Sequence, residues 1–272
     1  MNIDVAVIPA AGKGTRMRPA TRVVPKALLT VVDRPAIQYV VEEAARGGAT
    51  DVILVVDPGV GELTERHFYE LGPLPGLEDV QVRAVIQEEP LGLGHAVWTS
   101  REAVAGRPFF CLLADNIAPP GHDVLPALAA ATDGRSVMCV RRLSAEFLDR
   151  YGVVVPGQWL SDTVLEITGA VEKPGVENAP SDLGLIGRYV FGPDVFDLLE
   201  GQQAGYGGEI QLTDAIEALA ATDRALASVA PGDLLDIGNP PGLLEASAVL
   251  GAAHEQYGAD YKILMKALME DW

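Results

Sequence analysis

The chain has 272 residues, of which 49% are hydrophobic and 21% are charged, as is typical of a globular protein that buries a substantial core. The formal net charge of −18 opposes binding to nucleic acid or to an anionic membrane surface, so we expect neither as a partner. No apolar stretch reaches membrane-spanning length and no signal-like segment precedes the first strand, so the sequence predicts a soluble, cytoplasmic protein.

The first half of the chain alternates short β-type runs with amphipathic helical stretches. This repetition predicts an α/β fold with a mostly parallel sheet, in which ligands bind beyond the carboxyl ends of the strands. The loops after Pro9, Gln87 and Ala114 are therefore expected on one face. The strands are predicted at Val5–Pro9, 52–56, 82–87 and 109–114, and the helices at 37–45, 63–71 and 93–104.

From about Tyr151 the pattern changes to short β-rich pieces separated by turn residues, namely YGVVV, TVLEITGAVEKP and LGLIGRYVF. Helical patterns return at residues 194–200, at 210–221 and from Pro241 onward. Cys111 and Cys139 each lie inside an apolar run and are predicted to be buried strand thiols. Without an internal repeat or a long linker, a single domain is expected over residues 1–272, with parts at approximately 1–135, 136–240 and 241–272.

A cationic loop follows the first predicted strand, with the sequence AAGKGTR at residues 10–16 and Pro25-Lys26 shortly after it. Glycines permit close backbone approach, so successive N–H groups can cradle phosphate oxygens, while Arg16 and Lys26 can add charge. Between residues 10 and 34 the only anion is Asp33, in a chain that is strongly acidic overall. The cations there are Lys13, Arg16, Arg18, Arg22, Lys26 and Arg34.

Other interpretations of this loop are less consistent with its letters. A Walker A loop requires G-x-x-x-x-G-K-[ST], which the segment does not match, and a dinucleotide-binding fingerprint requires a third glycine where Met17 stands. A dinucleotide-dependent oxidoreductase is therefore disfavoured. A solvated basic turn remains the structural alternative, but the local reversal of charge favours phosphate binding.

The loop resembles the signature of the sugar-phosphate nucleotidyltransferases, and more closely that of the bacterial UTP–glucose-1-phosphate uridylyltransferases. The resemblance continues to about Pro240 through VVDRPAIQYVVEEA, QEEPLGLGHAV, YGVV, VEKP, APSDLGLIGRYVF and GGEIQLTDAI. The segments LLADN and LLDIGNPPGLLEA resemble the thymidylyltransferase branch instead. The resemblance implies a Rossmann-like mixed sheet flanked by helices, with a nucleotide-binding half at 1–135 and a smaller β-rich, sugar-phosphate-binding portion at 136–240.

The implied reaction transfers a nucleoside monophosphate from a nucleoside triphosphate to a sugar 1-phosphate and releases pyrophosphate, with Mg²⁺ as cofactor. UTP and glucose 1-phosphate are the substrates that the resemblance favours. The same chemistry with dTTP, ATP or GTP and another sugar or cyclitol phosphate stays open, as does a catalytically silent nucleotide-sugar sensor.

For the nucleotide, the resemblance points to the cationic loop and to a glutamine that ends the third strand. A carboxamide can donate and accept hydrogen bonds together, which suits the edge of a base. A polar residue that simply ends a strand is the structural alternative, and structural roles are favoured for His67 and His95. The implied nucleotide-binding residues are Ala10, Ala11, Gly12, Gly14, Thr15, Gln87 and Gly92.

For the sugar phosphate, the resemblance implies Gly152, Glu172, Lys173 and Gly187. Glu209 is interpreted equally well as a substrate contact or as a carboxylate near a helix N-terminus. Mg²⁺ takes few protein carboxylates, and Asp115 and Asp236 each follow an apolar run; capping a turn is the structural alternative for both. The implied catalytic residues are Arg16, Lys26, Asp115 and Lys173, and the implied metal ligands are Asp115 and Asp236.

An apolar stripe near the C-terminus predicts self-association. Met and aromatic residues are enriched at interface cores, and closed symmetric assemblies are the usual soluble ones, so a homodimer or homotetramer is expected. Packing of this helix on its own domain is the alternative. The stripe comprises Tyr257, Tyr261, Leu264, Met265, Leu268 and Met269, followed by Trp272.

Base choice is expected to be looser than in a strict uridylyltransferase. Those enzymes usually carry Glu directly after the motif lysine, where it helps to hold the nucleotide, whereas this chain has Ala27 after Lys26. We predict that kcat/KM for UTP exceeds that for dTTP by less than about a hundredfold, which corresponds to about 2.7 kcal/mol. A larger preference for UTP in steady-state kinetics would contradict this prediction.

Overall fold

The structure is a computed structural model that describes residues 3–270. Its strands are β1 (Val5–Pro9), β2 (Thr30–Val31), β3 (Arg34–Pro35), β4 (Asp51–Val56), β5 (Gln81–Ile86), β6 (Phe109–Leu112), β7 (Asn116–Ile117), β8 (Ser136–Arg142), β9 (Val153–Trp159), β10 (Val164–Val171), β11 (Leu183–Phe191), β12 (Ala225–Val229) and β13 (Leu235–Asp236). Its α-helices are α1 (Ala36–Arg46), α2 (Gly61–Tyr69), α3 (Leu93–Thr99), α4 (Arg101–Val104), α5 (Leu125–Ala131), α6 (Gly175–Asn178), α7 (Val195–Leu199), α8 (Leu212–Ala220), α9 (Pro240–Ala253) and α10 (Gly258–Glu270).

A nine-stranded mixed sheet runs through both halves of the chain in the order β5-β4-β1-β6-β11-β8-β12-β10-β9. The strands β5, β4, β1 and β6 pair in parallel, and so do β12 and β8. Strand β11 runs antiparallel to both of its neighbours, β6 and β8. The α/β fold and the mixed sheet are thus confirmed. The parallel pairing predicted for the first half is found among β5, β4, β1 and β6, but the sheet as a whole is not mostly parallel, because β9, β10 and β11 pair antiparallel with their neighbours. The division of the chain into parts stays a prediction.

Side-chain alternation along the strands builds a core on each face of the sheet. On β1, Val5 and Val7 belong to one buried cluster and Ala6 and Ile8 to the other. The first cluster is covered by α3, α7 and α8, and the second by α1 and α5. This sandwich of helix, sheet and helix buries every residue of β1, β6 and β11.

The predicted elements of the first half are confirmed, with small shifts at their ends. Strand β6 ends at Leu112, two residues before the predicted end, so Leu113 and Ala114 already belong to the turn that carries Asp115. The helix predicted over 93–104 is divided into α3 and α4 at Ser100. There the Ser100 hydroxyl donates to the Val97 carbonyl at 2.7 Å, and this local bond competes with the regular helical pattern.

Both cysteines are buried, Cys111 on β6 and Cys139 on β8, as the sequence predicted. Burial raises the pKa of each thiol to about 12, so both remain neutral at physiological pH. Within residues 3–270, no helix combines the length and the apolar composition needed to cross a membrane.

Candidate active site

A cleft of about 490 Å³ opens at the carboxyl ends of β1 and β6, where the sequence placed the ligand site. Three loops supply most of its wall, namely those after β1, after β5 and after β6, so the prediction that they share one face is confirmed. The lining residues are Pro9, Ala10, Ala11, Gly12, Lys13, Gly14, Thr15, Arg16, Lys26, Ala27, Pro90, Gly92, Leu93, Ala96, Leu113, Ala114, Asp115 and Glu209.

The cationic loop leaves β1 with its backbone open toward the cleft. Ala10 still donates to the Val55 carbonyl at 2.7 Å, which holds the start of the loop on the sheet. Gly14 adopts a left-handed conformation (φ 53°), and a Cβ there would lie 2.9 Å from Thr21. Within residues 3–270, no protein carbonyl accepts the backbone N–H of Gly12 or Lys13. These N–H groups can bind phosphate oxygens.

Lys26 and Asp115, which both line the cleft, form an ion pair. Lys26 belongs to the turn before β2, and Asp115 follows β6. The ion pair therefore joins two loops at the carboxyl end of the sheet. Arg16 and Lys26 share a neighbour, Gly238. A Cβ at Gly238 would lie 3.2 Å from Arg16 Nη2 and 3.3 Å from Lys26 Nζ. The two predicted catalytic cations therefore meet in one place.

Strand β13 brings Asp236 beside Asp115. It pairs antiparallel with β7, in a register that sets Asp236 opposite Asn116. The Ile237 N–H also donates to the Asp115 carbonyl at 2.9 Å. Gly238 donates its N–H to Asp236 Oδ1 at 2.7 Å, which fixes the carboxylate next to the cations. Two aspartates far apart in sequence thus lie side by side.

The donor set of Asp115 and Asp236 fits Mg²⁺. This ion binds proteins through one or two carboxylates and completes its octahedron with water and phosphate oxygens. The Asp115 side chain is 29% exposed in the cleft. Asp236 Oδ2 makes only a long contact, 3.4 Å to Asn239 Nδ2, within the described residues. Both carboxylates therefore retain lone pairs for a cation that arrives with phosphate groups.

Gln87 lies under the loop that carries Gly92 rather than on the surface of the cleft. Its Nε2 donates to the Gly92 carbonyl at 3.3 Å and lies 2.8 Å from His95 Nδ1. Its Oε1 has no hydrogen-bond partner in the described part of the chain. Gly92 lines the cleft with φ 118°, and a Cβ there would lie 2.6 Å from the Ile210 carbonyl oxygen. No larger residue fits at position 92.

The residues predicted for the sugar phosphate form a second group. Glu172 Oε2 accepts from the Thr213 hydroxyl at 2.6 Å, and its Oε1 pairs with Lys173 Nζ at 2.9 Å. A Cβ on Gly152 would lie 2.9 Å from Thr213 Oγ1 and 3.2 Å from Glu172 Oε2. A larger residue at 152 would thus displace the carboxylate. Lys173 Nζ also lies 5.3 Å from the ring centre of Tyr206.

Strand β11 connects the two groups. Its register shifts between Leu185 and Tyr189, and Gly187 lies within this irregularity with φ 78°. Gly187 accepts from the Leu113 N–H at 2.9 Å, while the Leu185 N–H donates to the Gly152 carbonyl at 2.8 Å. One bulged strand therefore contacts both the turn that carries Asp115 and the segment that carries Gly152.

Sequence reasoning missed two residues at the site. Thr213 orients Glu172, and its position in GGEIQLTDAI gave no signal beyond a helix start. Nothing in the segment YGVV singles out Tyr151. Its backbone carbonyl nevertheless accepts the Lys173 N–H at 3.2 Å. Burial, together with the negative charge of Asp236, raises the pKa of the Tyr151 hydroxyl, although the nearby Arg141 guanidinium opposes this shift.

The chain matches the nucleotidyl transferase family over residues 5–252. It belongs to this family. This nucleotidyl transferase is 38% identical, over 266 residues, to UTP–glucose-1-phosphate uridylyltransferase 1 of Staphylococcus saprophyticus. The alignment covers 91% of this chain and 92% of that relative.

Two solved structures share the fold of this nucleotidyl transferase. The UTP-bound UGPase from Acinetobacter baumannii is 34% identical, with a TM-score of 0.85 and coverage of 97% of this chain and 98% of that one. A UDP-glucose pyrophosphorylase complexed with UDP-glucose is 33% identical, with a TM-score of 0.82 and coverage of 90% and 97%. The family resemblance seen in the sequence is confirmed.

Loss of either cleft cation is expected to reduce catalysis strongly. We predict that Lys26→Ala and Arg16→Ala each lower kcat by about 10²-fold or more, because each removes a donor to charge that develops on the phosphates. Arg66→Ala is the matched control, since it removes one positive charge from an exposed position on α2. Near-normal turnover in both cleft variants would contradict a phosphate role.

Loss of the Asp115 carboxylate is expected to abolish Mg²⁺-dependent turnover and to leave the fold intact, because the residue lies in a turn at the sheet edge. Asp115→Ala is compared with Asp123→Ala, which removes an exposed carboxylate that pairs with Arg46. Turnover across a Mg²⁺ titration and thermal unfolding by circular dichroism provide the two readouts. If Asp115→Ala keeps both its rate and its Mg²⁺ titration, the metal assignment is wrong.

Proposed function

We propose that this nucleotidyl transferase moves the uridylyl group of UTP onto glucose 1-phosphate, forming UDP-glucose and pyrophosphate. The observation that carries the proposal is the meeting of Arg16, Lys26, Asp115 and Asp236 at one end of the cleft. Two cations and two carboxylates suit a reaction between two phosphate groups. The substrates are those in the names of the relatives that cover most of the chain.

The reaction is a direct displacement at the α-phosphorus of the triphosphate. An oxygen of the sugar 1-phosphate attacks in line, its bond to phosphorus forms as the bond to the pyrophosphate oxygen breaks, and pyrophosphate leaves with the electron pair. The attacking phosphate is largely ionised near pH 7, so no general base is needed. The protein has to position two anions and compensate their charge.

On the nucleotide side, we infer that the backbone of Ala10, Ala11, Gly12, Gly14 and Thr15 binds the phosphates. Gly12 supports this role with an N–H that no carbonyl of the described residues accepts, whereas Ala10, whose N–H binds the Val55 carbonyl, would hold the loop on the sheet. The base would lie against the backbone of Gly92, which lines the cleft and carries no side chain. Gln87 would contribute from beneath this loop, through the carbonyl oxygen that the protein leaves without a partner.

On the sugar side, Glu172 would accept hydrogen bonds from sugar hydroxyls, and Lys173 would bind the 1-phosphate. The ion pair between them and the contact with Thr213 hold both groups in a defined orientation. Gly152 and Gly187 would allow close approach of the sugar to the backbone. A Cβ at Gly152 would contact Glu172 and a Cβ at Gly187 would contact Asn116, so a larger residue at either position would displace groups beside the proposed sugar site.

Asp115 and Asp236 would hold Mg²⁺ when the nucleotide is bound. The bound ion would supply orientation of the phosphates and neutralisation of their charge. Arg16 and Lys26 would bind the oxygens of the α-phosphate and of the departing pyrophosphate. Because Lys26 pairs with Asp115, its ammonium group would lie between the bound metal ion and the phosphate groups.

A matrix of triphosphates against sugar phosphates tests the proposal. UTP, dTTP, ATP and GTP are each combined with glucose 1-phosphate and with related sugar and cyclitol phosphates, and pyrophosphate release is measured with and without Mg²⁺. The pair of UTP and glucose 1-phosphate should give the highest kcat/KM. A higher kcat/KM for another pair of substrates would show that the proposed substrates are wrong. If the protein binds UDP-glucose but releases pyrophosphate with no pair, the alternative of a catalytically silent nucleotide-sugar sensor would be favoured. We expect the protein to work in the cytoplasm.

The exposed face of α10 supports self-association. Helix α10 packs on α9, where Tyr261 contacts Gly251, but most of its apolar side chains face solvent. Leu264 is 54% exposed and Met269 is 74% exposed. An exposed apolar face of this kind is a common site of association between subunits. Trp272, the last member of the predicted stripe, lies outside the described residues.

We predict a homodimer or homotetramer at micromolar concentration, held in part by this face of α10. Light scattering of the full-length protein should give a multiple of the chain mass. Changing Leu264 and Leu268 to Glu should reduce that mass, because the carboxylates would be buried without partners. Leu71→Glu is the control, since Leu71 is fully exposed elsewhere. A monomeric wild-type protein would rule the prediction out.

A further inference from the structure

A charged pair lies in the interior of the molecule, below the turn that carries Asp115. Arg188 is on β11 and is 0% exposed, and Glu43 is on α1 and is 1% exposed. The guanidinium Nε donates to Glu43 Oε1 at 2.9 Å, and Nη2 donates to Oε2 at 2.7 Å. Burying two charges is costly, and a buried ion pair is often no more stable than an apolar pair of similar volume. Stability of the fold does not by itself account for this pair.

The remaining donors of Arg188 reach the turn after β6. Nη1 donates to the carbonyl oxygens of Leu113 and Gly187, each at 3.2 Å, and Nη2 donates to the carbonyl oxygen of Asn116 at 2.5 Å. Leu113 and Asn116 bracket Asp115 in the sequence. The guanidinium therefore holds the turn on both sides of the candidate metal ligand, while Glu43 fixes the plane of the guanidinium.

The same turn also determines where Asp236 lies. Asn116 is the register partner of Asp236 in the pairing of β7 with β13, and Asp115 accepts the Ile237 N–H. A displacement of the turn would therefore move both carboxylates together. Arginine suits this position because its planar fork can bind a carboxylate and several carbonyl oxygens together, whereas lysine presents a single point charge.

We propose that Arg188 and Glu43 are a positioning pair for the metal site, which set Asp115 and Asp236 at the spacing required by the metal–triphosphate complex. The inference rests on the proposed function for the identity of that complex. Both residues are buried, and neither lines the cleft. Their effect is transmitted through the backbone of the turn at 113–116.

The test compares the binding of UTP with and without a divalent cation, in the absence of sugar phosphate so that no turnover occurs. Isothermal titration gives the Kd of UTP in EDTA and at saturating Mn²⁺, and the ratio of the two constants measures the contribution of the metal. Loss of ligand orientation of this kind typically weakens metal binding about 10- to 100-fold. We expect the ratio to fall at least about tenfold in Arg188→Lys and in Glu43→Gln.

A double variant, Arg188→Met with Glu43→Leu, separates positioning from folding. It removes the donors to the turn and leaves no buried charge without a partner, so it is expected to fold with a Tm near that of the wild type. The ratio of its UTP dissociation constants, in EDTA and at saturating Mn²⁺, should nevertheless be lower than that of the wild type. The matched control is Arg83→Lys on the edge strand β5. Arg83 also binds a carboxylate in bidentate fashion, that of Asp51, and a carbonyl, that of Ala103.

A metal contribution that equals the wild-type value in the folded double variant and in Arg188→Lys would overturn the positioning role, even if both variants lose stability. The proposed function has its own readout, pyrophosphate release by the wild type. If the wild type binds UTP more tightly with Mn²⁺ but releases no pyrophosphate, the proposed function fails. The positioning role would then still be supported or overturned by the binding ratios.

Discussion

The antiparallel pairing of two short strands, β7 and β13, is the contact on which the candidate site depends most. It joins the turn after β6 to a segment more than a hundred residues later in the chain, and it places Asp236 opposite Asn116. The segment is held from its other side as well. Asn239 caps α9 by accepting the Gly242 N–H at 3.0 Å, and Ala246 and Leu250 of that helix pack with Ile117 and Ile237. The proposed metal ligand Asp236 is thus positioned by a small core that includes β7, β13 and α9.

The charges of the cleft explain how an acidic protein can bind two anionic substrates. The chain carries a net charge of −18, yet the wall of the cleft includes Lys13, Arg16 and Lys26. Each charge acts over a short range at physiological ionic strength, so local composition matters more than the total. Before substrate binds, Lys26 and Asp115 neutralise each other's charge in an ion pair.

Parts of this arrangement follow from the sequence, and others do not. Periodicity predicts the first four large strands, and the density of cations predicts the phosphate-binding loop, because both signals are local. The position of Asp236 came only from the family resemblance, since strands of two residues have no periodicity. Arg188 stands in an otherwise apolar strand, and nothing local indicates that its partner is Glu43, 145 residues away. The division of one predicted helix at Ser100 was also missed, because it depends on a single side-chain hydrogen bond.

The central claim is that the cleft aligns two phosphate groups for one direct displacement, without a covalent enzyme intermediate. The sugar 1-phosphate carries an ionised oxygen that can attack the α-phosphorus directly, so the proposed reaction needs no nucleophile from the protein. The most direct test uses UTP with a single configuration of sulfur at the α-phosphorus and determines the configuration in the nucleotide-sugar product by ³¹P nuclear magnetic resonance. Direct displacement inverts the phosphorus centre, and inversion is the result that we predict. Retention of configuration would require two successive displacements and would contradict the account.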